Sequence, residues 1–268
     1  MSKVLHFSDP HFGTERQDVG AALLRLAQEL QPDVAILSGD ITQRARRGQF
    51  ESARRFLDAL AAPVKLIIPG NHDIPLFNLA SRFFNPYGNY RGAFGPELEP
   101  QFSSEDLLVI GINTTRPWRH KDGEVSAQQI DCVSQQLHRA LPNQLRIVVV
   151  HQPVFVERDS DRENLLHGHK QAIQAWAKAG ADLILSGHIH LAYVRNLRES
   201  LQDLPRLIWT VSAGTAISNR VREGHPNSVN LIHYDSAELP HACKVDRMDF
   251  DVASSRFVIA KTTLVELS

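Results

Sequence analysis

The residues able to do chemistry in this chain are bunched behind apolar runs. Asp9 and His11 follow Val4-Leu5-His6-Phe7, Asp40 follows Val34-Ala35-Ile36-Leu37, and Asn71, His72 and Asp73 follow Val64-Lys65-Leu66-Ile67-Ile68. His151 ends the run Ile147-Val148-Val149-Val150, and His188 and His190 come just after Leu183-Ile184-Leu185. Imidazole, carboxylate and carboxamide groups ligate borderline divalent metals, and imidazole also carries protons near neutral pH. Folding stability alone requires no such spelling as Gly70-Asn71-His72-Asp73, so the pattern points to one polar rim assembled from distant parts of the chain.

The elements that must position these groups are legible around them. Each apolar run has the length and near-continuous apolarity of a strand covered on both faces. Pro69 and Gly70 stop the run at 64–68, which leaves 71–73 on the loop past the strand's carboxyl end, where open α/β sheets place ligands. Val19, Leu23, Leu26 and Leu30 recur at helical spacing within 18–30, and Pro32 ends that pattern. A right-handed crossover through this helix makes the strands at 4–7 and 34–37 parallel and brings Asp40 to the rim of Asp9. Helices are also expected over 48–60, over 126–141 with Ser126 as cap, and over 170–178. One or two strands are expected over 101–113. Beyond His190 the pattern turns to strands without helices, at 192–198, 207–213, 228–234, 243–250 and 255–264. These are expected to form an antiparallel second sheet packed on the first.

In chain order the motifs D-x-H, G-D, G-N-H-D, H and G-H-x-H resemble the calcineurin-like metallophosphoesterase superfamily over residues 9–190, and SGDIT, IPGNHD and SGHIH are similar to its class III cyclic-nucleotide phosphodiesterase branch. The resemblance implies an α/β fold of two packed mixed β-sheets flanked by helices, a four-layer αββα sandwich, in a single domain over 1–268. It also implies two divalent transition-metal ions, from among Mn, Fe, Zn and Co. By position Asp9, His11 and His190 would join Asp40 around one metal, and Asn71, His151 and His188 would join it around the other, with Asp40 as the bridging carboxylate. His72 matches the family's non-ligating histidine, which stabilises the transition state and protonates the leaving oxygen, and Asp73 would orient it. The physical need is clear: water at pH 7 is a poor nucleophile and a phosphate ester is anionic, and two cations about 3.5–4 Å apart counter both problems. The implied activity is a metal-dependent phosphoric ester hydrolase acting through metal-activated water on a phosphodiester, a nucleotide ester such as a cyclic nucleotide. Alternatives are a pyrophosphatase on a nucleotide-sugar or lipid-linked substrate, a phosphoprotein phosphatase, and a binding scaffold that kept the fold and lost the chemistry. Such scaffolds lose ligands or the histidine of G-N-H-D, and this sequence has lost none.

Composition narrows the surroundings. With 43% hydrophobic and 22% charged residues among 268, the chain is ordinary for a soluble globular protein, and its formal net charge of −1 provides no general electrostatic drive toward nucleic acid or acidic lipid. No apolar run approaches the ~18 residues of a spanning helix, and the N-terminus lacks a signal-peptide pattern. A cytoplasmic protein is therefore expected, with a small-molecule phosphate ester as partner, no nucleic acid polymer and no membrane; a homo-oligomer stays open. Cys132 and Cys243 lie outside the motifs and are expected as reduced, buried thiols.

Several segments keep more than one reading. Arg44, Arg46 and Arg47 form either a positive lip or a solvated loop. Residues 76–100, with Phe77, Phe83, Phe84, Tyr87, Tyr90 and Phe94, suit a substrate-facing insert, an oligomer contact or a small satellite core. The long charged segment 152–169 is expected to select substrate. Its His167 and His169 are either a metal pair or an exposed helix start. Within 213–228, Arg220 or Arg222 reaches toward the phosphate, or the segment is a plain polar turn.

Overall fold

The computed structural model describes residues 1–237 and 241–268. Its first sheet runs β12 (Arg256–Glu266), β11 (Ala242–Asp251), β10 (Ser228–Tyr234), β1 (Ser2–Phe7), β2 (Val34–Leu37) and β3 (Val64–Ile67). The second runs β4 (Gln101–Ser103), β5 (Leu107–Gly111), β6 (Leu145–Val149), β7 (Leu183–Ser186), β9 (Trp209–Ser212) and β8 (Tyr193–Asn196). Parallel pairing joins β1 to β2 and β2 to β3 in one sheet, and β5, β6, β7 and β9 in the other; the remaining pairs are antiparallel, so both sheets are mixed.

Alternation along the strands builds three apolar layers. Val4, Val34, Ile36 and Ile232 of the first sheet meet Val109, Ile147, Val149 and Leu185 of the second in a shared middle layer. Leu5, Phe7, Ala35 and Leu37 point the other way, against α1 (Gln17–Leu30) and α2 (Arg47–Ala59). Val148 and Ile184 likewise pack under α5 (Ala127–His138) and α6 (His169–Ala179). Helix, sheet, sheet and helix therefore stack as four layers. Ser126 caps α5, its Oγ accepting from the Gln129 amide at 3.2 Å.

The strands after His190 do not make a sheet of their own. β8 and β9 join the second sheet, and β10 pairs antiparallel with β1, from Ser2 with Tyr234 to His6 with Asn230, followed by β11 and β12. The edge of β1 away from β2 would otherwise present unpaired backbone groups, and β10 satisfies them. The five strands that carry the polar groups are accordingly split, β1, β2 and β3 in one sheet and β6 and β7 in the other, and their carboxyl ends meet across the sandwich.

Residues 76–100 fold into two short helices, α3 (Leu79–Phe84) and α4 (Gly88–Phe94). They form no satellite core. Tyr87, Tyr90 and Phe94 join the cluster under α1 and α2, with Phe50 at 6.3 Å from the Tyr90 ring and 6.2 Å from Phe94, while Phe77, Phe83 and Phe84 are exposed. Cys243 is buried as expected, but Cys132 is exposed, because it faces outward from α5. Among the described residues no helix is long and apolar enough to cross a membrane.

Candidate metal centre

The loops at the carboxyl ends of these strands are held in an unusual backbone conformation. Asp9, His11, Asp40, His188 and His190 have φ of 54°, 43°, 49°, 72° and 57°, five of the eight described non-glycine residues in the left-handed region. A side chain there costs about 1–3 kcal/mol and persists only where the surroundings impose it. Here the Asp9 amide donates to the Gly39 carbonyl, and the His11 amide to that of Asp40, both at 3.1 Å. Two glycines allow the loops to approach this closely. A Cβ on Gly70 would lie 2.0 Å from the backbone nitrogen of Asp40, and one on Gly187 would lie 1.9 Å from Ser8 Oγ.

The donor atoms converge into two main groups centred on Asp40. Asp9, His11 and His190 present ligand atoms within 4.8 Å of one another, and so do Asp40, His151 and His188. Asp40 Oδ1 is 3.2 Å from His151 Nε2, whereas its Oδ2 is 3.7 Å from His11 Nε2, so the carboxylate faces both groups. Asn71 Oδ1 lies 3.2 Å from His151 Nε2, and His190 Nε2 lies 3.2 Å from Asp9 Oδ1.

His72 also comes within 4.8 Å of donor atoms of His11 and Asp40, but its nitrogens are engaged elsewhere. A carbonyl can only accept, so Nδ1 donates to Gln43 O at 3.0 Å; a guanidinium can only donate, so Nε2 accepts from Arg220 Nη1 at 3.3 Å. His151 and His190 are oriented the same way, their Nδ1 atoms donating to the carbonyls of Ser38 at 2.8 Å and Arg220 at 2.6 Å, which leaves Nε2 of each with a lone pair facing inward.

Asp73 does not touch the His72 ring. Its carboxylate accepts from the amides of Gly70 at 2.8 Å, Ile41 at 3.0 Å and Thr42 at 2.8 Å, and from Thr42 Oγ1 at 2.8 Å. It braces the loop of Asp40 against that of Asn71 and His72, and the direct hold on the imidazole belongs to the Gln43 carbonyl. The reason is geometric: Asp73 closes a one-turn helix over 71–73 and points back into the protein.

Electrostatics and orphaned atoms agree with a cation-binding centre. Burial would raise Asp40, but His151 and His72 beside it hold its carboxyl well below the usual range, and Asp9 is depressed against burial mainly by His190. Burial likewise opposes a charged His151, yet Asp40 pushes it up to about 9, so its Nε2 shares a proton with Asp40 that a bound cation would displace to use the lone pair. Burial holds His11 and His188 down to about 3, neutral with lone pairs available, and burial together with Asp40 raises Asp73 to about 6. Both ring nitrogens of His188, His11 Nδ1 and Asp9 Oδ1 are buried without any hydrogen-bond partner. Leaving such groups unpaired costs roughly 1–3 kcal/mol each, and a divalent cation is the partner this mixed nitrogen and oxygen set would accept.

Above the donors opens a cavity of about 440 Å³. Asp40, Asn71, His72, His188 and His190 line its floor, and His120, Lys121, Asp161, Asn164, Ile189, Arg220 and Arg222 its walls. No sequence pattern marked His120 or Lys121, which sit on an irregular loop without motif or periodicity, whereas Asp161 and Asn164 fall on a short 3-10 helix, Asp159–Asn164, within the 152–169 segment expected to select substrate. Of the three arginines at 44–47, Arg44 lies over the Phe77 ring at 5.4 Å and borders a small recess beside His72, while Arg46 and Arg47 are solvated. His167 and His169 do not come together: the first faces Asp122 at 3.4 Å, and the second donates to the Leu166 carbonyl at 2.8 Å.

The family profile of the calcineurin-like phosphoesterases matches residues 2–192. A probable cyclic nucleotide phosphodiesterase of Synechococcus sp. is 25% identical over 186 residues, 65% of this chain and 64% of that protein, so the match spans just under two thirds of the relative's length. The glycerophosphodiester phosphodiesterase of Enterobacter lignolyticus is 37% identical over 79 residues, 25% of this chain and 28% of that one. In fold, a dimetal phosphatase from Danio rerio superposes with a TM-score of 0.68 over 100% of this chain and 99% of its own, at 12% identity.

Proposed function

The chain belongs to the calcineurin-like phosphoesterase family, and from that premise we propose that it hydrolyses a phosphodiester with the help of two divalent transition-metal ions. The observation that carries this reading is Asp40, one carboxylate whose two oxygens face two buried groups of nitrogen and oxygen donors at the floor of a polar cavity. Asp9, His11 and His190 would hold one ion with Asp40, and Asn71, His151 and His188 the other. When bound, such a pair lowers the pKa of water and offsets the charge of the phosphoryl oxygens. The residues 1–268 act as one unit in this proposal, because β10–β12, beyond the matched segment, complete the sheet that carries Asp9 and Asp40.

The protein's own groups do the rest. The Ser38 and Arg220 carbonyls fix the lone pairs of His151 and His190, and the strained backbones of Asp9, His11 and Asp40 hold donors in place before any ligand arrives. His72, its Nδ1 held by Gln43, delivers a proton from Nε2 in its imidazolium form to the departing alkoxide.

For the alcohol half of the substrate two classes are in view. A nucleotide ester such as a cyclic nucleotide follows the phosphodiesterase-named relatives. A small polyol ester is favoured by the walls, which carry Asp161, Asn164, Lys121 and His120 and only Ile189 as an apolar side chain, with no Phe, Tyr or Trp among the described residues that line the cavity to offer a broad apolar stacking face. The test is a panel with added Mn²⁺: cyclic nucleotides, a glycerophosphodiester, bis-nitrophenyl phosphate, a phosphomonoester and a nucleotide-sugar. Diester turnover that EDTA abolishes is expected. Full activity in excess EDTA with no metal by elemental analysis, or turnover of the monoester alone, would overturn the proposal.

A further inference from the structure

Three Lys or Arg side chains line the cavity, and two are already matched. Arg222 donates to Asp161 at 3.0 Å and Lys121 to Glu163 at 2.7 Å. Arg220 differs. It lines the cavity half-buried and forms no ion pair with any described residue; its Nη1 donates to Gln43 Oε1 at 3.0 Å and to His72 Nε2 at 3.3 Å. Its Nε and Nη2, three of the five N–H donors of a guanidinium, have no acceptor among the described residues. The backbone beneath it is fixed at three points: the Arg220 amide donates to Ser218 Oγ at 3.0 Å, and its carbonyl accepts from Thr215 Oγ1 at 3.0 Å and from His190 Nδ1 at 2.6 Å. A rigid base and an uncompensated fork, one arm on His72, make a preformed receptor for a planar pair of anionic oxygens.

We propose that Arg220 binds the non-bridging phosphoryl oxygens of the substrate and that Arg222, bound to Asp161, ties the 152–169 loop across the cavity instead. This rests on the phosphoesterase reading above and assigns that site a residue the ligand motifs do not contain. The geometry adds a consequence for His72. A phosphoryl oxygen is a stronger acceptor for a guanidinium than a neutral imidazole nitrogen, so engagement of Arg220 by the phosphate frees the His72 Nε2 lone pair to take up from solvent the proton that the imidazolium then delivers to the leaving oxygen.

The test compares Arg220→Gln, Arg220→Lys and Arg222→Gln with the wild type, all loaded with Mn²⁺. Three quantities are measured: metal content, kcat/KM on bis-nitrophenyl phosphate, and the calorimetric affinity for inorganic phosphate. Arg220→Gln is expected to keep its metal, because its backbone contact to His190 survives. It should lose ~10²-fold in kcat/KM and at least ~10-fold in phosphate affinity. Arg220→Lys should recover part of the phosphate affinity, and Arg222→Gln should lose far less than Arg220→Gln. If both arginine-to-glutamine variants lose phosphate affinity equally, or Arg220→Gln stays within twofold of wild type, the assignment to Arg220 is overturned while the hydrolase stands. A wild type that turns over no ester but binds phosphate through Arg220 would overturn the hydrolase and keep the anion site. Should Arg220→Gln fail to fold, Gln43→Leu releases the same guanidinium, and it is expected to weaken phosphate binding to a smaller degree; no change there would also overturn the assignment.

Discussion

Replacing Gly70 by alanine tests how closely the centre's two central loops must approach. Gly70 has an ordinary φ of −104°, so alanine introduces no torsional penalty, and the whole effect is contact. The new Cβ would sit 2.0 Å from the backbone nitrogen of Asp40, 2.3 Å from its Oδ1 and 2.7 Å from its Cα, where real contacts do not fall below 3.0 Å. Two of these atoms are backbone, so no rotamer relieves the clash and the loops must part by at least about 1 Å, more than any bond between them accommodates. Three hydrogen bonds resist: His72 amide to Asp40 Oδ1 at 2.8 Å, Ile41 amide to Asp73 Oδ2 at 3.0 Å, and Ile68 amide to the Leu37 carbonyl at 3.1 Å. Overpacking of this kind costs about 1–3 kcal/mol, or several degrees in Tm for a chain of this size, and a 1 Å misplacement of a catalytic group costs ~10²-fold in rate. Gly70→Ala should therefore show a Tm several degrees lower in EDTA, reduced metal content after dialysis and a ~10²-fold lower kcat/KM on bis-nitrophenyl phosphate. Gly92→Ala is the control, since nothing lies within 4 Å of its Cβ and a helical alanine is neutral or stabilising by roughly 0.5–1 kcal/mol. A Gly70→Ala protein that keeps metal and kcat/KM within twofold of wild type would show that the centre tolerates a wider separation of the two loops.

Other outcomes follow from the same geometry. Asp40→Ala should lose more metal on dialysis than His190→Ala, because Asp40 faces both donor groups and His190 one; equal losses would mean that Asp40 is not the bridge. His72→Ala should keep its metal and slow far more on a nucleotide or polyol ester than on bis-nitrophenyl phosphate, by a further ~10²–10⁴-fold, since only the basic alkoxide needs a proton as it leaves. Equal slowing under single-turnover conditions would remove the proton-donor role, and loss of metal would make His72 a ligand. Burial lowers His6, held between Ser38 at 2.9 Å and Asn230 at 3.4 Å, to about 3 from an unfolded 6.5. The unfolded chain then takes up the proton first, so this histidine's contribution to stability is full above pH 6.5 and declines as pH falls toward 3, with roughly 2 kcal/mol lost by pH 5. In EDTA, His6→Gln should flatten the fall in Tm between pH 7 and 5, and an unchanged slope would show that His6 is not the group titrating.

The strands and helices around the donors, and the inventory of donors, are legible in the sequence. Those signals are short-ranged: an apolar run stopped by Pro69 and Gly70, apolar residues at helical spacing from Val19 to Leu30, and polar groups one to three residues past each run act through neighbours in the chain. Only the tertiary structure decided how they combine. β10 pairs with β1 because that edge was open, an arrangement that strand propensity cannot encode, and the strands behind the one polar rim are divided between two sheets. Gly70 reads in sequence as a strand breaker, but in space it is the close approach that admits Asp40, and Asp73 braces that approach without orienting His72. The left-handed backbone of five donors, the ring orientation that Ser38 fixes on His151 from 113 residues away, and the pairing that occupies Arg222 with Asp161 and leaves Arg220 without an ion pair among the described residues are all set by partners distant in sequence. Local propensity reaches a few residues, whereas the orientation of a lone pair and the neutralisation of a charge depend on which loops the packed sheets bring together.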